Sequence, residues 1–151
     1  MKLEKYISDN GLSAKIIDNE VPVGTVEEST KVLKCEASDI VKSIVIVTNK
    51  GEYFLVILQG DRKIKTKKVK KLLEVKDLKL APPKEVKDIT GYDVGDVPPI
   101  SVNLPTIIDE LVITRKKLYA GGGGPTKTLQ IIVDELLDCT HPLIADVSIP
   151  L

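Results

Sequence analysis

The sequence contains few of the residues on which many catalytic and nucleic-acid-binding sites depend. Its 151 residues include one histidine, two cysteines, one phenylalanine and no tryptophan. A Ser-His-Asp or Cys-His unit needs a histidine as its base, and His141, between Thr140 and Pro142, has the setting of a loop or structural residue. Zinc chemistry needs three or four Cys, His or carboxylate ligands, so we expect no metal site and no cofactor. The shortage of aromatic residues argues against a stacking platform for single-stranded RNA.

The chain also lacks a net charge and a long apolar run. Its 22 basic and 22 acidic residues cancel, so no overall field attracts it to nucleic acid. No window approaches the ~18 consecutive apolar residues of a membrane span, and the first residues have no signal-peptide pattern. Cys35 and Cys139 lack CxxC spacing, which is typical of reduced thiols. We therefore expect a cytoplasmic protein without a membrane or DNA partner, folded as one domain over residues 1–151.

Residues 40–47 form an almost unbroken β-branched run with the sequence Ile-Val-Lys-Ser-Ile-Val-Ile-Val. Such a run predicts a strand buried on both faces, because an exposed antiparallel strand would alternate apolar and polar residues. Side chains repeat with period two along a strand, so Lys42 shares a face with Ile44 and Ile46. Its ammonium must reach solvent, meet an acidic partner or line a cleft at the end of the strand.

Elsewhere the sequence predicts interspersed helices and strands without a regular βαβ cadence. A turn at residues 49–51 makes residues 43–48 and 53–58 a central hairpin covered on both faces. Thr25 and Glu28 form a capping box at the start of a helix. The pattern favours an α+β fold with a mixed, mostly antiparallel sheet. The predicted helices are residues 3–10, 26–34, 66–73, 83–90 and 134–139; the other predicted strands are residues 14–18, 78–81, 107–109 and 118–120 around a turn, 129–133, and the extended segment 143–149.

A basic segment runs from Arg62 to Lys71, where seven of ten residues are basic and none is acidic. Thr66 can cap a helix that continues to Leu73, with the lysines on its polar face. Such a charge run is either a solvated helix face or a phosphate-binding patch, and its clustering in a neutral chain supports the second interpretation. We treat the segment as a basic helix over residues 62–71, and its candidates for contact with a phosphate backbone are Arg62, Lys63, Lys67, Lys68, Lys70 and Lys71.

Four consecutive glycines, residues 121–124, precede Pro125-Thr126-Lys127-Thr128. This order resembles a Walker phosphate loop only in outline. The glycine required before the lysine is replaced by Thr126, and Pro125 removes a backbone donor. We exclude a Walker loop, but glycines can still let the backbone approach a ligand closely.

A second glycine loop covers residues 95–99, with the sequence Gly-Asp-Val-Pro-Pro. One glycine and two prolines fix a rigid backbone, which can aim amide N–H groups at an oxyanion or hold a water molecule. A plain surface turn is the alternative that the residues alone leave open.

Taken in order, six segments make the sequence resemble the YbaK/ProX family of aminoacyl-tRNA editing domains. The family includes freestanding Cys-tRNA(Pro) and Ala-tRNA(Pro) deacylases and the insertion domain of bacterial prolyl-tRNA synthetases. The resemblance runs from about Thr25 to Leu137. The segments are residues 25–29 (TVEES), 40–45 (IVKSIV), 58–61 (LQGD), 89–92 (ITGY), 95–99 (GDVPP) and 120–123 (AGGG).

This resemblance implies a barrel-like sheet surrounded by helices and a reaction that hydrolyses the ester between a wrong amino acid and the terminal ribose of a tRNA. It implies aminoacyl-tRNA as the partner, and an aminoacyl-tRNA synthetase as a second candidate partner. It makes Lys42 the signature active-site residue and residues 95–99 the loop that closes the pocket. The implied catalytic residues are Lys42 and Gly95, and the implied substrate-binding residues are Thr25, Ser29, Ser43, Asp61, Val97, Pro98, Pro99, Gly121 and Gly122.

The reaction fits the available residues because an aminoacyl ester is already activated. A lysine cation can hold the terminal adenosine or the aminoacyl group, loop amides can stabilise the oxyanion, and a positioned water can attack. The amino acid removed stays open among alanine, cysteine, serine, proline and others. Two alternatives also stay open: a noncatalytic module that binds aminoacyl-tRNA or a synthetase, and a small-molecule-binding domain without an RNA partner.

Overall fold

Ten strands and five α-helices make up the computed structural model, which describes residues 2–151. The helices are α1 (Lys2–Asp9), α2 (Val26–Leu33), α3 (Thr66–Leu73), α4 (Pro83–Thr90) and α5 (Val133–Thr140). The strands are β1 (Lys15–Asp18), β2 (Val41–Thr48), β3 (Tyr53–Gln59), β4 (Arg62–Ile64), β5 (Leu78–Leu80), β6 (Thr106–Asp109), β7 (Lys117–Gly121), β8 (Lys127–Ile132), β9 (Leu143–Ala145) and β10 (Ser148–Pro150).

The strands form a five-stranded sheet in the order β5-β2-β3-β6-β9, a three-stranded sheet β1-β8-β7 and a two-stranded sheet β10-β4. The β3–β6 and β6–β9 pairings are parallel, whereas the other pairings are antiparallel. The predicted α+β class with a mixed, mostly antiparallel sheet is therefore confirmed. None of the helices in the described part of the chain has the length and hydropathy needed to cross a membrane.

The β2–β3 hairpin is buried on both faces, as its continuous apolar runs predict. Val45 and Ile57 belong to the larger hydrophobic cluster on one face. Ile46 and Val56 belong to a smaller cluster on the other face, beneath Val69 of α3. Because two layers cover the hairpin, neither strand needs an alternating polar face.

Local signals place the start of α2 and the end of α4 correctly. The side chain of Thr25 accepts from the N–H of Glu28, whose carboxylate accepts from the N–H of Thr25, so the predicted capping box starts α2. Gly91 closes α4 in the left-handed conformation with φ of 82°, which a glycine adopts without a Cβ penalty.

Two predictions about the basic segment were wrong. Arg62–Ile64 is the strand β4 and not part of a helix, because it pairs with Ser148–Pro150 of β10. The helix α3 starts after Lys65, which occupies the N-cap position without a side-chain hydrogen bond, so Thr66 lies inside the helix. A pairing partner more than 80 residues away leaves no local signal in the sequence.

Two strand predictions also differ from the structure. Residues 107–109 and 118–120 do not flank a hairpin turn, since β6 lies in the five-stranded sheet and β7 in the three-stranded sheet. The segment 143–149 divides into β9, which extends the five-stranded sheet, and β10, which pairs with β4. The extended character was predicted correctly, but the choice of partner depends on tertiary packing.

Candidate active site

The edge of β2 that faces away from β3 is covered only in part. Near its start, β7 meets this edge through a bridge between Tyr119 and Ile40. Near its end, β5 pairs with residues 46–48, and the N–H of Ala81 donates to the carbonyl of Val45 at 2.9 Å. Between β7 and β5 the sheet has a gap, which lies beside Ser43.

The main chain of Ser43 points into this gap. Main-chain groups alternate between the two edges of a strand. The carbonyl of Ile40 accepts from the N–H of Gly60 on the β3 side, whereas the carbonyl of Val45 faces β5. The N–H and C=O of Ser43 share the direction of Val45, and no strand in residues 2–151 pairs with them on that edge. The gap is therefore bordered by one main-chain donor and one main-chain acceptor that no strand ladder pairs.

A cavity of about 310 Å³ occupies the gap. Because it wraps around the open edge of β2, residues from both faces of the strand line it, Lys42 from one face and Ser43 from the other. Most of the remaining wall is apolar and is contributed by α2, α4, β7 and the segment before Pro98. Representative wall residues are Val26, Val41, Val45, Val86, Val97 and Ala120.

Lys42, which lies on a buried strand and was expected to need solvent, an acidic partner or a cleft, lines the cavity. Its Nζ donates to the carbonyl oxygen of Arg62, at the start of β4. Burial lowers the pKa of the Lys42 ammonium below its ordinary value, while the Asp61 carboxylate acts in the opposite direction. The cation thus has an internal acceptor and a neighbouring carboxylate, and its two remaining protons can serve a ligand.

We expect this pKa shift to be measurable by NMR. In a protein labelled at the lysine Cε, the Lys42 signal should titrate below the ordinary pKa of a lysine, because burial disfavours its charged form. Asp61→Asn should lower the Lys42 pKa further, because it removes the carboxylate that raises it. Loss of one signal in Lys42→Arg assigns the resonance. An unshifted Lys42 titration would contradict this description of the site.

The loop at residues 95–97 closes one side of the cavity through two glycines. Gly95 has φ of +91°, and a Cβ there would lie 3.0 Å from the carbonyl oxygen of Gly24. At Gly121 a Cβ would lie 2.6 Å from the carbonyl oxygen of Val97, closer than real Cβ contacts allow. Both glycines therefore permit backbone segments to meet at the cavity wall.

Two loop amides are available to a ligand. The N–H of Asp96 donates to Asp93, and the N–H of Gly123 donates to the carbonyl of Asp96, each at 3.0 Å. Within residues 2–151, the N–H groups of Gly95 and Val97 make no hydrogen bond. Both residues line the cavity, so these amides are the loop's candidate donors to a ligand there.

The predicted site residues divide into two groups. The first group lines the cavity and consists of Thr25, Ser29, Lys42, Ser43, Gly95, Val97 and Gly121. The second does not line it: Asp61 acts on the Lys42 charge, Pro98 and Pro99 are buried behind the loop, and the N–H of Gly122 donates to Lys127 in the β7–β8 turn. Pro99 instead lines a separate surface groove beside α1.

Much of the basic segment is engaged within the fold. Arg62 donates to the hydroxyl and carbonyl oxygens of Ser148 at 2.7 and 3.2 Å. Lys68 pairs with Asp146 at 2.7 Å, and Lys70 pairs with Asp77 at 3.3 Å. The exposed members of the predicted set are Lys63, Lys67 and Lys71, of which the last two lie one turn apart on α3.

A scan against protein-family models supplies the decisive comparison. The model described as "Aminoacyl-tRNA editing domain" matches residues 20–139, which include Lys42, the 95–99 loop and the glycine run. The chain belongs to the aminoacyl-tRNA editing domain family. The predicted resemblance is thereby confirmed.

Curated relatives of this editing domain are proline–tRNA ligases. That of Desulfotalea psychrophila is 32% identical over 114 residues, which cover 76% of this chain and 20% of the ligase. That of Solidesulfovibrio magneticus is 37% identical over 109 residues, covering 71% of this chain and 19% of the ligase. The chain thus spans about a fifth of the length of these relatives.

Solved structures match the editing domain over nearly its whole length. The crystal structure of a hypothetical protein superposes with a TM-score of 0.93 at 33% identity, covering 99% of this chain and all of that one (100%). A second crystal structure, of "a putative trans-editing enzyme for prolyl tRNA synthetase", has a TM-score of 0.89 at 28% identity, covering 98% of this chain and 95% of that one.

The sequence did not point to several residues at the editing-domain cavity. Tyr119 and Thr128 come from the three-stranded sheet, which the bridge between Tyr119 and Ile40 joins to the start of β2. Asp96 lies between two lining residues, and burial raises the pKa of its carboxyl, with the Asp93 carboxylate adding to the rise and the Lys87 ammonium opposing it. Its position inside the 95–99 motif was the one available signal.

Proposed function

We propose that this editing domain is a trans-acting hydrolase that cleaves the ester of mischarged aminoacyl-tRNA. The observation that carries the proposal is the meeting of Lys42, Gly95 and Val97 around one cavity at the open edge of β2. A cation, free loop amides and an apolar enclosure suit an already activated ester, because stabilising charge at the carbonyl oxygen is the main requirement.

Cavity size and the relatives support a small amino acid on a prolyl-type tRNA. The volume of about 310 Å³ lies at the lower end of the roughly 300–1,000 Å³ found for ligand sites, which favours a small aminoacyl group. The relatives are proline–tRNA ligases, and one structural neighbour is described as a trans-editing enzyme for prolyl tRNA synthetase. A synthetase is accordingly a further proposed partner.

In the proposed reaction, water attacks the ester carbonyl carbon. The N–H groups of Gly95 and Val97 stabilise the negative charge that develops on the carbonyl oxygen, and Lys42 holds the terminal adenosine or the aminoacyl group. The bond between the carbonyl carbon and the ribose oxygen then breaks, and that oxygen takes the proton released by the water. The products are a free amino acid and a tRNA with its terminal hydroxyl restored.

The proposal is tested by following ester loss from tRNA(Pro) charged with alanine, cysteine, serine or proline. We expect the protein to accelerate hydrolysis of at least one mischarged tRNA over the rate in buffer, and to spare Pro-tRNA(Pro). Tight binding of these tRNAs with no acceleration would instead identify a noncatalytic module. If the protein neither binds nor hydrolyses any tRNA of this panel, that result would contradict an RNA-directed function.

The exposed lysines of α3 are the proposed contact with the tRNA backbone. Lys67→Gln with Lys71→Gln should weaken tRNA binding and reduce the slope of log K against log salt by roughly 1–2, because each phosphate contact releases counterions. The matched control is Lys15→Gln with Lys50→Gln, which removes two exposed lysines elsewhere on the surface. Equal slopes in the two double variants would exclude α3 as the contact.

A further inference from the structure

Hydroxyl groups at the cavity differ in whether they already have a partner. Thr25 is engaged in the α2 capping box, and the Ser29 hydroxyl donates to the carbonyl of Val23 at 2.9 Å. The Thr128 hydroxyl oxygen accepts from the side chain of Asn19 at 3.1 Å. By contrast, the Ser43 hydroxyl oxygen is buried and has no hydrogen-bond partner in the described chain.

A buried hydroxyl without a hydrogen-bond partner costs free energy. When such a hydroxyl belongs to a residue that lines a cavity, a ligand in the cavity is a candidate for the missing partner. The side chains around it cannot do so. Ser43 shares its face of β2 with Val41 and Val45, and the opposing wall includes Val86 and Ala120, all of them apolar. These apolar neighbours leave an occupant of the cavity as the candidate partner for this hydroxyl.

The main chain of Ser43 faces the same gap in the sheet. Its N–H and C=O, which no strand ladder pairs, point into the gap beside the same hydroxyl, so one residue presents a donor, an acceptor and a side-chain hydroxyl. An aminoacyl group carries the complementary pair, an acceptor in its ester carbonyl and donors in its α-ammonium. Aligned along the open edge, it would place its Cβ about 4.5–5.5 Å from that of Ser43, the separation of directly opposed residues in a sheet. A hydroxyl or thiol on that Cβ then reaches the Ser43 oxygen.

We propose that Ser43 determines the specificity of the proposed deacylase and selects amino acids with a small hydrogen-bonding side chain, as in serine, over alanine of nearly the same size. This inference rests on the proposed function. The main chain of Ser43 aligns the aminoacyl group along the edge of β2, and the Ser43 hydroxyl recognises the side chain of that group. An apolar wall alone discriminates weakly between such a pair, whereas a buried polar group that is left unpaired by the wrong substrate discriminates strongly.

The test compares kcat/KM for Ser-tRNA(Pro) and Ala-tRNA(Pro) in the wild type and in Ser43→Ala. We expect the wild type to favour the seryl ester and Ser43→Ala to reduce that preference by about tenfold, as one hydrogen bond is lost. The free energy of unfolding of Ser43→Ala should not fall, because the substitution removes an unpaired polar group. A purely structural serine would instead lower stability and reduce both rates equally, which would overturn the proposal while leaving the hydrolase function intact.

A second measurement separates failure of the inference from failure of the function. Non-hydrolysable 3′-seryl and 3′-alanyl amide analogues of adenosine report binding whether or not the protein hydrolyses esters. Tighter binding of the seryl analogue to the wild type, lost in Ser43→Ala, would support the role of Ser43. Equal dissociation constants for the two analogues, or no binding of either, would overturn it.

Discussion

Lys42→Ala should lower kcat/KM for deacylation by about 10²-fold, because loss of the group that holds the substrate can misplace the ester by about 1 Å. Lys42 lines the cavity and keeps two ammonium protons beyond the one given to the Arg62 carbonyl. Without the cation, the ester or its adenosine would lose its charged anchor at the edge of β2. Single-turnover loss of ester, measured on the tRNA that the wild type hydrolyses fastest, checks the expectation.

Two further variants separate the charge of Lys42 from its packing. Lys42→Met retains most of the apolar stem, so it should lose nearly as much activity as Lys42→Ala while preserving more stability. Lys79→Ala removes an exposed lysine from the neighbouring strand β5 and should leave the rate unchanged. A Lys42→Met rate within a few-fold of wild type would show that the cation has no part in the reaction.

Gly121→Ala should disrupt both the cavity and the fold around it. The added Cβ would lie 2.6 Å from the Val97 carbonyl oxygen and 3.1 Å from the carbonyl carbon of Asp96, so the 95–97 loop must move. Overpacking of this kind costs roughly 1–3 kcal/mol of unfolding free energy. A displacement near 1 Å at the loop amides can cost on the order of 10²-fold in rate. Denaturant unfolding and single-turnover deacylation measure the two effects.

Gly124→Ala is the matched control within the same glycine run. A Cβ at Gly124 would meet only the flexible side chain of Lys127, with the nearest atom at 3.6 Å. The change in unfolding free energy should stay within about 0.5 kcal/mol, and the rate should be preserved. Equal losses in Gly121→Ala and Gly124→Ala would mean that the run is sensitive as a whole, and not through the contact between Gly121 and Val97.

Local sequence signals predicted the elements of this fold, but not how they pair. The β-branched run at residues 40–47 predicted the buried strand, and the Thr25 capping box predicted the start of α2, since both depend on near neighbours. The pairing of β4 with β10 depends on residues such as Arg62 and Ser148, which are far apart in the sequence. The basic segment was treated as helical from residue 62, yet the pairing of residues 62–64 with the final strand makes them extended.

The parts of the candidate site that lie within family motifs could be predicted from the sequence. Residues 40–45 and 95–99 were identified through the family resemblance, and Lys42, Gly95 and Val97 do line one cavity. The gap beside Ser43 could not be predicted, because it depends on where β5 ends and where β7 meets β2. The same limit applies to Tyr119, which reaches the cavity from another sheet.

The central claim is that an aminoacyl ester is held at the open edge of β2, between Lys42 and the 95–97 loop. It is tested most directly by mapping backbone amide shifts on titration with a non-hydrolysable 3′-aminoacylamide of adenosine. The largest shifts should fall on Ser43, Gly95, Val97 and Gly121. Shifts confined to α3 or to the groove beside α1, with these four amides unmoved, would contradict the claim.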